Sequence, residues 1–456
     1  MFLSVVVCIA GLLALVWMLR HTQLSLGIPI AYLFTLLLLH VPGAIAHLLD
    51  ENKVLRSPEL TERGIGFTAI GTFCFVFGVW LSRYWEVKVP VLTQTAARPM
   101  FWQFCLLTGW FFTCFGFLTN ITTISAAIDK GGAIWMLGVM LGLRSAVSRG
   151  NRVMMFRWLA ALSVYPVLIL LLGGFLSYGS TAALIVLSAV AITGRSRWRL
   201  IASTIAAITI GTSVFLTYFA HRTEIRATAW RGGGIRATTD VVLAAARDVQ
   251  WFSSDNPDHL KALDARLNQN YFAGLAAKRI DDGVVDYLKG RSLLEGAMAI
   301  VPRALWPEKP VEAGSPKIVA EMTGLTLSKS TSFGVGNVME FHINFGVTGL
   351  VAGFLLLGWG LGRLDRLAAV AEAAGDLRMM FIYFLPAIAL IQPNGSIIEL
   401  SGGAVAALAA GFGWKWAWDR WPKPVERLLP RADRTIGPTF VPRRPIVAAR
   451  QQRPSL

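Results

Sequence analysis

Along this 456-residue chain, long apolar stretches alternate with short polar ones, and a single polar stretch from Ala220 to Glu340 interrupts the series. The apolar windows fall at 2–19, 27–49, 65–81, 100–118, 133–147, 158–175, 180–193, 200–219, 345–362, 379–393 and 402–418. A helix needs roughly 20 apolar residues to cross the hydrocarbon core of a bilayer, and a soluble core seldom supplies so many windows in succession. The pattern predicts an all-α polytopic membrane protein of about 11 transmembrane helices, within a range of roughly 10–12. Windows 133–147, 180–193 and 379–393 are short for a perpendicular helix and are expected to be bent, half-buried or re-entrant. The chain then divides into N-terminal transmembrane helices (1–219), a large loop domain (220–344), C-terminal transmembrane helices (345–418) and a tail (419–456). The first window lacks a basic leading segment and a small-residue cleavage site, which predicts a retained helix.

Charge orients the array, because short loops rich in Lys and Arg stay cytoplasmic. Arg83/Lys88/Arg98, Arg144/Arg149/Arg152/Arg157, Arg195/Arg197/Arg199 and Arg363/Arg366/Arg378 mark one side, while 174–179 and 394–401 carry no Lys or Arg. This places the C-terminus in the cytoplasm and the large loop outside. Loop 50–64 fits least well, since Lys53, Arg56 and Arg63 fall outside, accompanied by Asp50, Glu51, Glu59 and Glu62. A mean hydropathy of +0.55 agrees with membrane insertion. The net charge of +16 would suggest nucleic acid in a soluble chain. Here it resides in the short loops and in 415–456, where ten Lys/Arg meet three Asp/Glu. With no nucleic-acid-binding motif beside it, the Pro- and Arg-rich tail is expected to be disordered against an anionic leaflet of membrane lipids.

Several chemistries find no support. Cys8, Cys74, Cys105 and Cys114 all lie in predicted spans and form no Cys-x-x-Cys pair, which argues against a disulfide scaffold and a zinc site. His40 and His47, seven apart, share one helix face and are read as packing or interfacial histidines rather than metal ligands. There is no Walker A loop, no dinucleotide-binding glycine motif and no His-Glu-x-x-His, so neither a metal nor another cofactor is expected.

The large loop is patterned rather than linker-like. Residues 241–251 and 259–280 read as helices, the second with Leu260, Leu263, Leu267, Tyr271 and Leu275 at helical spacing, and Asp255-Asn256-Pro257-Asp258 supplies a break and a helix start between them. The loop is nearly neutral, so an anion site in it must come from local placement. An apolar helix from Gly290 runs into Pro302-Arg303-Ala304-Leu305-Trp306-Pro307-Glu308-Lys309-Pro310, where three prolines fix the backbone. Such a segment can hold Arg303 and Lys309 at a set separation near the membrane surface. The residues alone leave two readings open: an anion site, or an interfacial anchor with Trp306 at headgroup level and the cations snorkelling.

That Pro-Arg-x-x-Trp-Pro-x-Lys-Pro run, followed after about 30 residues by Gly336-Asn337-Val338-Met339-Glu340-Phe341-His342-Ile343-Asn344-Phe345-Gly346 at the entry to an apolar helix, resembles the Wzy-type oligosaccharide repeat unit polymerases of the O-antigen polymerase and ligase superfamily. The local likeness covers about 290–349, and the topology extends it to the whole chain. One departure stands out: family members often carry a Ser-Arg-Gly-like step near mid-chain, where Tyr178-Gly179-Ser180-Thr181 offers no arginine.

The resemblance implies a GT-C-like integral membrane glycosyltransferase with its large loop periplasmic at the bacterial inner membrane. It would polymerise oligosaccharide repeat units carried on undecaprenyl pyrophosphate, alongside a flippase and a chain-length regulator of the same pathway. Such an enzyme needs cations for the departing pyrophosphate, a base for the attacking hydroxyl and a lipid groove. Arginine suits the first role through its permanent charge and bidentate fork. Arg222 and Arg226, together with Arg303 and Lys309, are the pyrophosphate candidates, the first pair being also readable as ordinary interfacial cations. Glu340 and His342 are the base candidates, with Glu340 preferred, or else form a polar cap on the next span. Asn344 and Trp306 are assigned to the glycan; Gln392, Asn394 and Glu399 form a polar cluster assigned to the acceptor path, Glu399 because an acid at membrane depth is costly. The alternatives are an O-antigen ligase-type transferase, a polysaccharide or lipid-carrier transporter, and a non-catalytic assembly subunit; the absence of an internal repeat argues against the transporter.

Overall fold

In a computed structural model, fifteen α-helices account for most of the described residues, which are 1–21, 24–84, 98–118, 131–174, 184–188, 191, 197–230, 234–301, 306, 308–309, 315–326 and 334–421. In chain order they are α1 (Phe2–His21), α2 (Ile28–Leu49), α3 (Pro58–Leu81), α4 (Arg98–Leu118), α5 (Gly131–Ser148), α6 (Arg152–Gly173), α7 (Arg197–Trp230), α8 (Gly234–Arg247), α9 (Pro257–Arg266), α10 (Asn270–Asp281), α11 (Arg291–Ala299), α12 (Ser315–Thr323), α13 (Asn337–Ala374), α14 (Leu377–Ala389) and α15 (Ile397–Arg420). No strand occurs among the described residues. Among the described residues five helices are long and apolar enough to cross a membrane: α1, α2, α3, α13 and α15, with shorter apolar helices at Ala133–Ser148 and Leu377–Ala389. Helices α4 and α7 cover the windows at 100–118 and 200–219 and α6 covers 158–173 of the window 158–175, whereas most of 180–193 and the tail from 422 lie outside the described residues. Helix α7 runs eleven residues past the end of its apolar window, carrying Arg222 and Arg226 on continuous helix.

Without a hydrophobic drive between helices in lipid, association depends on close packing, which small residues permit. Helix α3 lies along α13 on this principle. A methyl group at Gly78 would overlap the Leu355 carbonyl and one at Gly358 the Phe75 carbonyl, while the Phe354 ring covers Gly71. At one end of this pair the buried carboxylate of Asp365 accepts from Ser25 Oγ (2.6 Å) and from the N–H groups of Leu26 (2.9 Å) and Ile28 (3.2 Å). It thereby caps the start of α2 and pairs with Arg83 at 3.4 Å. A second seam, rich in aromatic rings, joins α4, α14 and α15 through Phe101, Phe104, Phe381, Trp414 and Trp418.

The apolar periodicity of 259–280 predicts one helix; the structure contains two, α9 and α10, separated at residues 267–269. The break exists because this backbone inserts against α2 beside Pro42, where Gln269 N donates to Leu39 O (3.1 Å) and Gly43 N donates to Leu267 O (3.0 Å). Proline has removed one donor from the α2 ladder there, and Gly43 leaves room for Asn268. Around the insertion, His47 Nε2 meets Asp264 Oδ1 at 2.9 Å, and Asn268 Nδ2 donates to the same oxygen (2.6 Å) and to Thr61 Oγ1 (3.0 Å). His40 Nδ1 meets Asn270 Oδ1 at 2.7 Å. The two histidines that share a helix face therefore hold two different loop helices, and no group of His, Cys, Asp and Glu fit for a metal occurs among the described residues.

Asp264 carries a pH dependence. Burial raises its pKa, but hydrogen bonds from His47, Asn268 and the Leu55 and Arg56 amides outweigh burial and hold the carboxyl below its ordinary value of 3.8. A carboxyl depressed by folding contributes stability that is complete above its unfolded pKa and disappears as pH falls through the folded value. Acidification below about pH 4 should therefore lower the unfolding midpoint of the wild type more than that of Asp264→Asn. Parallel acid slopes in a thermal melt series would show that Asp264 contributes nothing to the linkage.

Candidate functional site

The first eight residues of α13 form a short helix of their own. Phe345 (φ −144°) and Gly346 (φ 64°, ψ −147°) break the helical backbone, and glycine alone takes the second conformation at little cost. At its other end this segment is fastened to the turn before α15, with Gly336 N donating to Asn394 O (3.2 Å) and Asn337 N to Pro393 O (2.9 Å). Tyr32 Oη donates to Asn337 Oδ1 at 2.8 Å. Residues 337–344 are thus held rigidly between α2 and the start of α15.

Glu340 points from this segment into the junction and is 0 % exposed. Its Oε2 accepts from Ile397 N, the first amide of α15, at 2.7 Å. An unsatisfied amide at the positive end of a helix favours a carboxylate there. Among the described residues no donor lies within good hydrogen-bond geometry of the buried Oε1, although the Ser292 hydroxyl is close enough to act on the carboxyl. The Ser292 hydroxyl lies beside the carboxyl, and Glu295 and Glu399 are its acidic neighbours. Glu399 completes a capping box with Ser396 at the start of α15, and its Oε1 accepts from Ser315 Oγ at 2.9 Å. One buried acid therefore stands at a helix N-terminus, with an exposed acid nearby.

His342 does not join it. Two residues of helix turn a side chain by about 200°. Glu340 accordingly faces α11 and α15, whereas His342 stacks on Phe67 of α3 (4.3 Å between centroids) with Tyr287 at 6.3 Å. Its Nδ1 is buried, with no hydrogen-bond partner among the described residues. The amide of Asn344 is fully engaged within the protein: Oδ1 accepts from Gly290 N (3.1 Å), and Nδ2 donates to Ser292 Oγ (2.8 Å) and Glu340 O (2.7 Å). With Leu288 N donating to Ile343 O (2.8 Å), these bonds bring the segment that starts at Gly290 against the one that starts at Gly336.

The cations occupy other places. Lys309 Nζ donates to Val301 O (2.9 Å) and Ala299 O (3.3 Å), satisfying carbonyls at the end of α11, where a cation also complements the helix dipole. Trp306 is half-exposed, and Arg303 lies outside the described residues. Arg226 Nε donates to Gly174 O (3.4 Å), the residue that caps α6, and Arg222 sits over the Phe219 ring. Asn394 is exposed at the turn before α15, and its carbonyl takes part in fastening α13. The site thus unites Glu340, Asn344 and Glu399, and it adds Ser292, Glu295 and Ser315. Of these additions, Ser292 lies inside the Gly290–Pro310 segment, and Ser396-x-x-Glu399 is a recognisable capping-box pattern. Ser315 carries no such signal.

No family model, no curated protein and no solved structure matches this chain. Its helices, five of them long and apolar enough to span a bilayer, define the class as an α-helical membrane protein.

Proposed function

We propose that this protein is an integral membrane glycosyltransferase that polymerises oligosaccharide repeat units carried on undecaprenyl pyrophosphate. In this reading it has about 11 spans in a GT-C-like arrangement, sits in the bacterial inner membrane with its large loop periplasmic, and works with a flippase and a chain-length regulator. One observation carries the proposal. Segment 336–346, on which part of the resemblance rests, is fastened through Asn344 to Gly290 and Ser292 at the start of α11, with the buried carboxyl of Glu340 at this junction.

The chemistry is a substitution at the anomeric carbon of the growing chain. The nonreducing-end hydroxyl of the incoming unit forms the new C–O bond and gives its proton to Glu340 Oε1. The bond to pyrophosphate breaks, and the electron pair leaves with the pyrophosphate, for which Arg303 is the assigned cation, while Arg222 and Arg226 lie against Phe219 and Gly174 and are left out of this step. Oxocarbenium character in the transition state suits a nearby carboxylate such as Glu399. Trp306 and Asn394 line the sugar path, Asn344 holds the site in shape, and Lys309 secures the arginine-bearing segment to α11.

Gel profiles of lipid-linked and surface glycan from cells lacking this protein test the reading. Single repeat units should accumulate, and wild type should restore a ladder. Arg303→Ala should restore about 10²–10³-fold less polymer, the usual cost of removing one donor to developing negative charge. Finished polymer retained on the carrier would identify a ligase instead, and an unchanged profile would refute the proposal.

A further inference from the structure

Helix α7 continues past its apolar window at 200–219 as far as Trp230, and α8 packs against that extension. Two contacts fix the register of the pair. His221 Nε2 meets Asp248 Oδ2 at 3.2 Å, and Gln250 N donates to Thr217 Oγ1 at 3.0 Å. Residue numbers rise on one strand of this hairpin as they fall on the other, so the chain leaving α8 travels back down α7. At 1.5 Å per residue the extension carries Trp230 roughly 16 Å beyond Phe219, and α8 leads back over that height. By Gln250 the chain has reached the level of Thr217, inside the apolar window.

The residues on either side of Gln250 are apolar and uncovered. Trp251 is 63 % exposed, and Val249 and Phe252 are exposed beside it. On α7, Ile210 and Val214 are exposed as well, and they share a helix stripe with Thr217 at i, i+4 and i+7. Thr217, itself buried, is where the returning chain joins that stripe, so one apolar surface runs from the side of α7 up to Trp251. It stops there, because Ser253, Ser254 and Asp255 follow as exposed polar residues. The segment is also held in place: Phe252 stacks on His259 (6.4 Å between centroids), and Ser253 N donates to His259 Nδ1 (3.1 Å). At the other end of the same α9, Arg266 lies over the Phe219 ring of α7 at 5.7 Å.

Whatever covers Ile210 and Val214 on the side of α7 is the natural neighbour of Trp251. In a spanning helix that neighbour is lipid, and tryptophan is enriched at the membrane–water boundary because its large ring is apolar while its N–H is polar. We propose that Val249, Trp251 and Phe252 form an interfacial anchor whose partner is the bilayer, the three side chains entering the headgroup–acyl boundary on the side of the large loop. The inference rests on α7 being a span, as in the proposed function, and needs no glycosyl transfer. It gives α9 two fixed ends: lipid at its start, through Phe252 and His259, and α2 at its finish, through residues 267–269.

The experiment places a nitroxide label on Trp251→Cys, Val214→Cys and Ile235→Cys, one at a time, in the full-length protein in vesicles of phosphatidylethanolamine and phosphatidylglycerol. Depth is read from collisions with oxygen, which concentrates in lipid, and with a water-soluble nickel chelate. All three positions are exposed, so no buried contact is lost, and labelled wild type, in which Cys8, Cys74 and Cys105 are buried, supplies the background. Position 251 should lie roughly 5–10 Å into the headgroup–acyl boundary, with 214 deeper and 235, at the far end of α8, in water. Phe252→Cys gives a second, independent reading of the anchor and should match 251. Labels at 251 and 252 as wet as 235, with 214 in lipid, would overturn the anchor and leave the span intact. A wet 214 would overturn the anchor together with the span on which it rests. Shielding of 251 and 252 from both reagents would show that protein, such as a second copy of this chain, covers the patch, and would overturn lipid as the partner.

Discussion

Replacing Glu340 by Gln is expected to lower glycan transfer by about 10²–10⁴-fold with the protein still folded in the membrane, the range for loss of a positioned general base. The substitution separates chemistry from architecture. Glu340 Oε2 accepts from Ile397 N at 2.7 Å, and the glutamine carbonyl can take over that bond. What disappears is the negative charge and the basicity of Oε1, beside which the Ser292 hydroxyl lies. Alanine would be a poorer test, because it strands the first amide of α15 and opens space at a fully buried position. Transfer should be measured on lipid-linked repeat units in vesicles of matched protein content. Activity within tenfold of wild type would remove Glu340 from the reaction. Glu399→Gln should have a smaller effect, since Glu399 is exposed and engaged with Ser315 and the Ser396 cap.

Gly358→Val should have the largest effect on stability. A Cβ at Gly358 meets backbone, namely the Phe75 carbonyl of α3, and not a side chain that can rotate away. Overpacking of ordinary cores costs about 1–3 kcal/mol, and a clash between two helix backbones should reach or exceed the upper end. It also separates α3 from α13, the contact that positions residues 337–344. Gly360→Val is the control, because nothing lies within 4 Å of a Cβ there, and it should change stability by no more than about 0.5 kcal/mol. Thermal midpoints of the two variants in the same detergent decide the matter. If both fall equally, a general effect of the added side-chain bulk on α13, rather than the α3–α13 contact, is responsible, since valine is a better helix former than glycine.

The comparison with the apolar pattern shows which physical information is local. Apolar windows at 2–19, 27–49, 65–81, 345–362 and 402–418 correspond to α1, α2, α3, α13 and α15, and every one of these helices except α2 extends beyond its window. Hydropathy registers the part of a helix that suits lipid, whereas the helix continues for as long as its backbone hydrogen bonds do. Thus α3 begins at Pro58, behind the Ser57 cap, and α7 runs on to Trp230. The break at 267–269 left no trace in the spacing of Leu260, Leu263, Leu267, Tyr271 and Leu275, because it arises from hydrogen bonds to Leu39 and Gly43 on α2.

The same distinction governs the site. Glu340, Asn344 and Glu399 were recognisable as polar residues at the borders of apolar windows, where burying them demands a reason. That Glu340 and His342 face opposite ways followed from helix geometry once 337–344 was known to be helical. Arg266 carries no signal in a loop of nearly balanced charge, since its contact is with the Phe219 ring of another helix. By itself the sequence determined an array of apolar helices with a polar stretch between them, because length, periodicity and proline act within a few residues of where they occur. Only the tertiary structure decided that Ser292 and Ile397 meet Glu340, that His40 and His47 take separate partners, and that Arg266 of α9 lies over Phe219 of α7. Those pairings depend on the backbone approach of segments tens to hundreds of residues apart, which glycines at crossings and breaks in helices permit and no local pattern encodes.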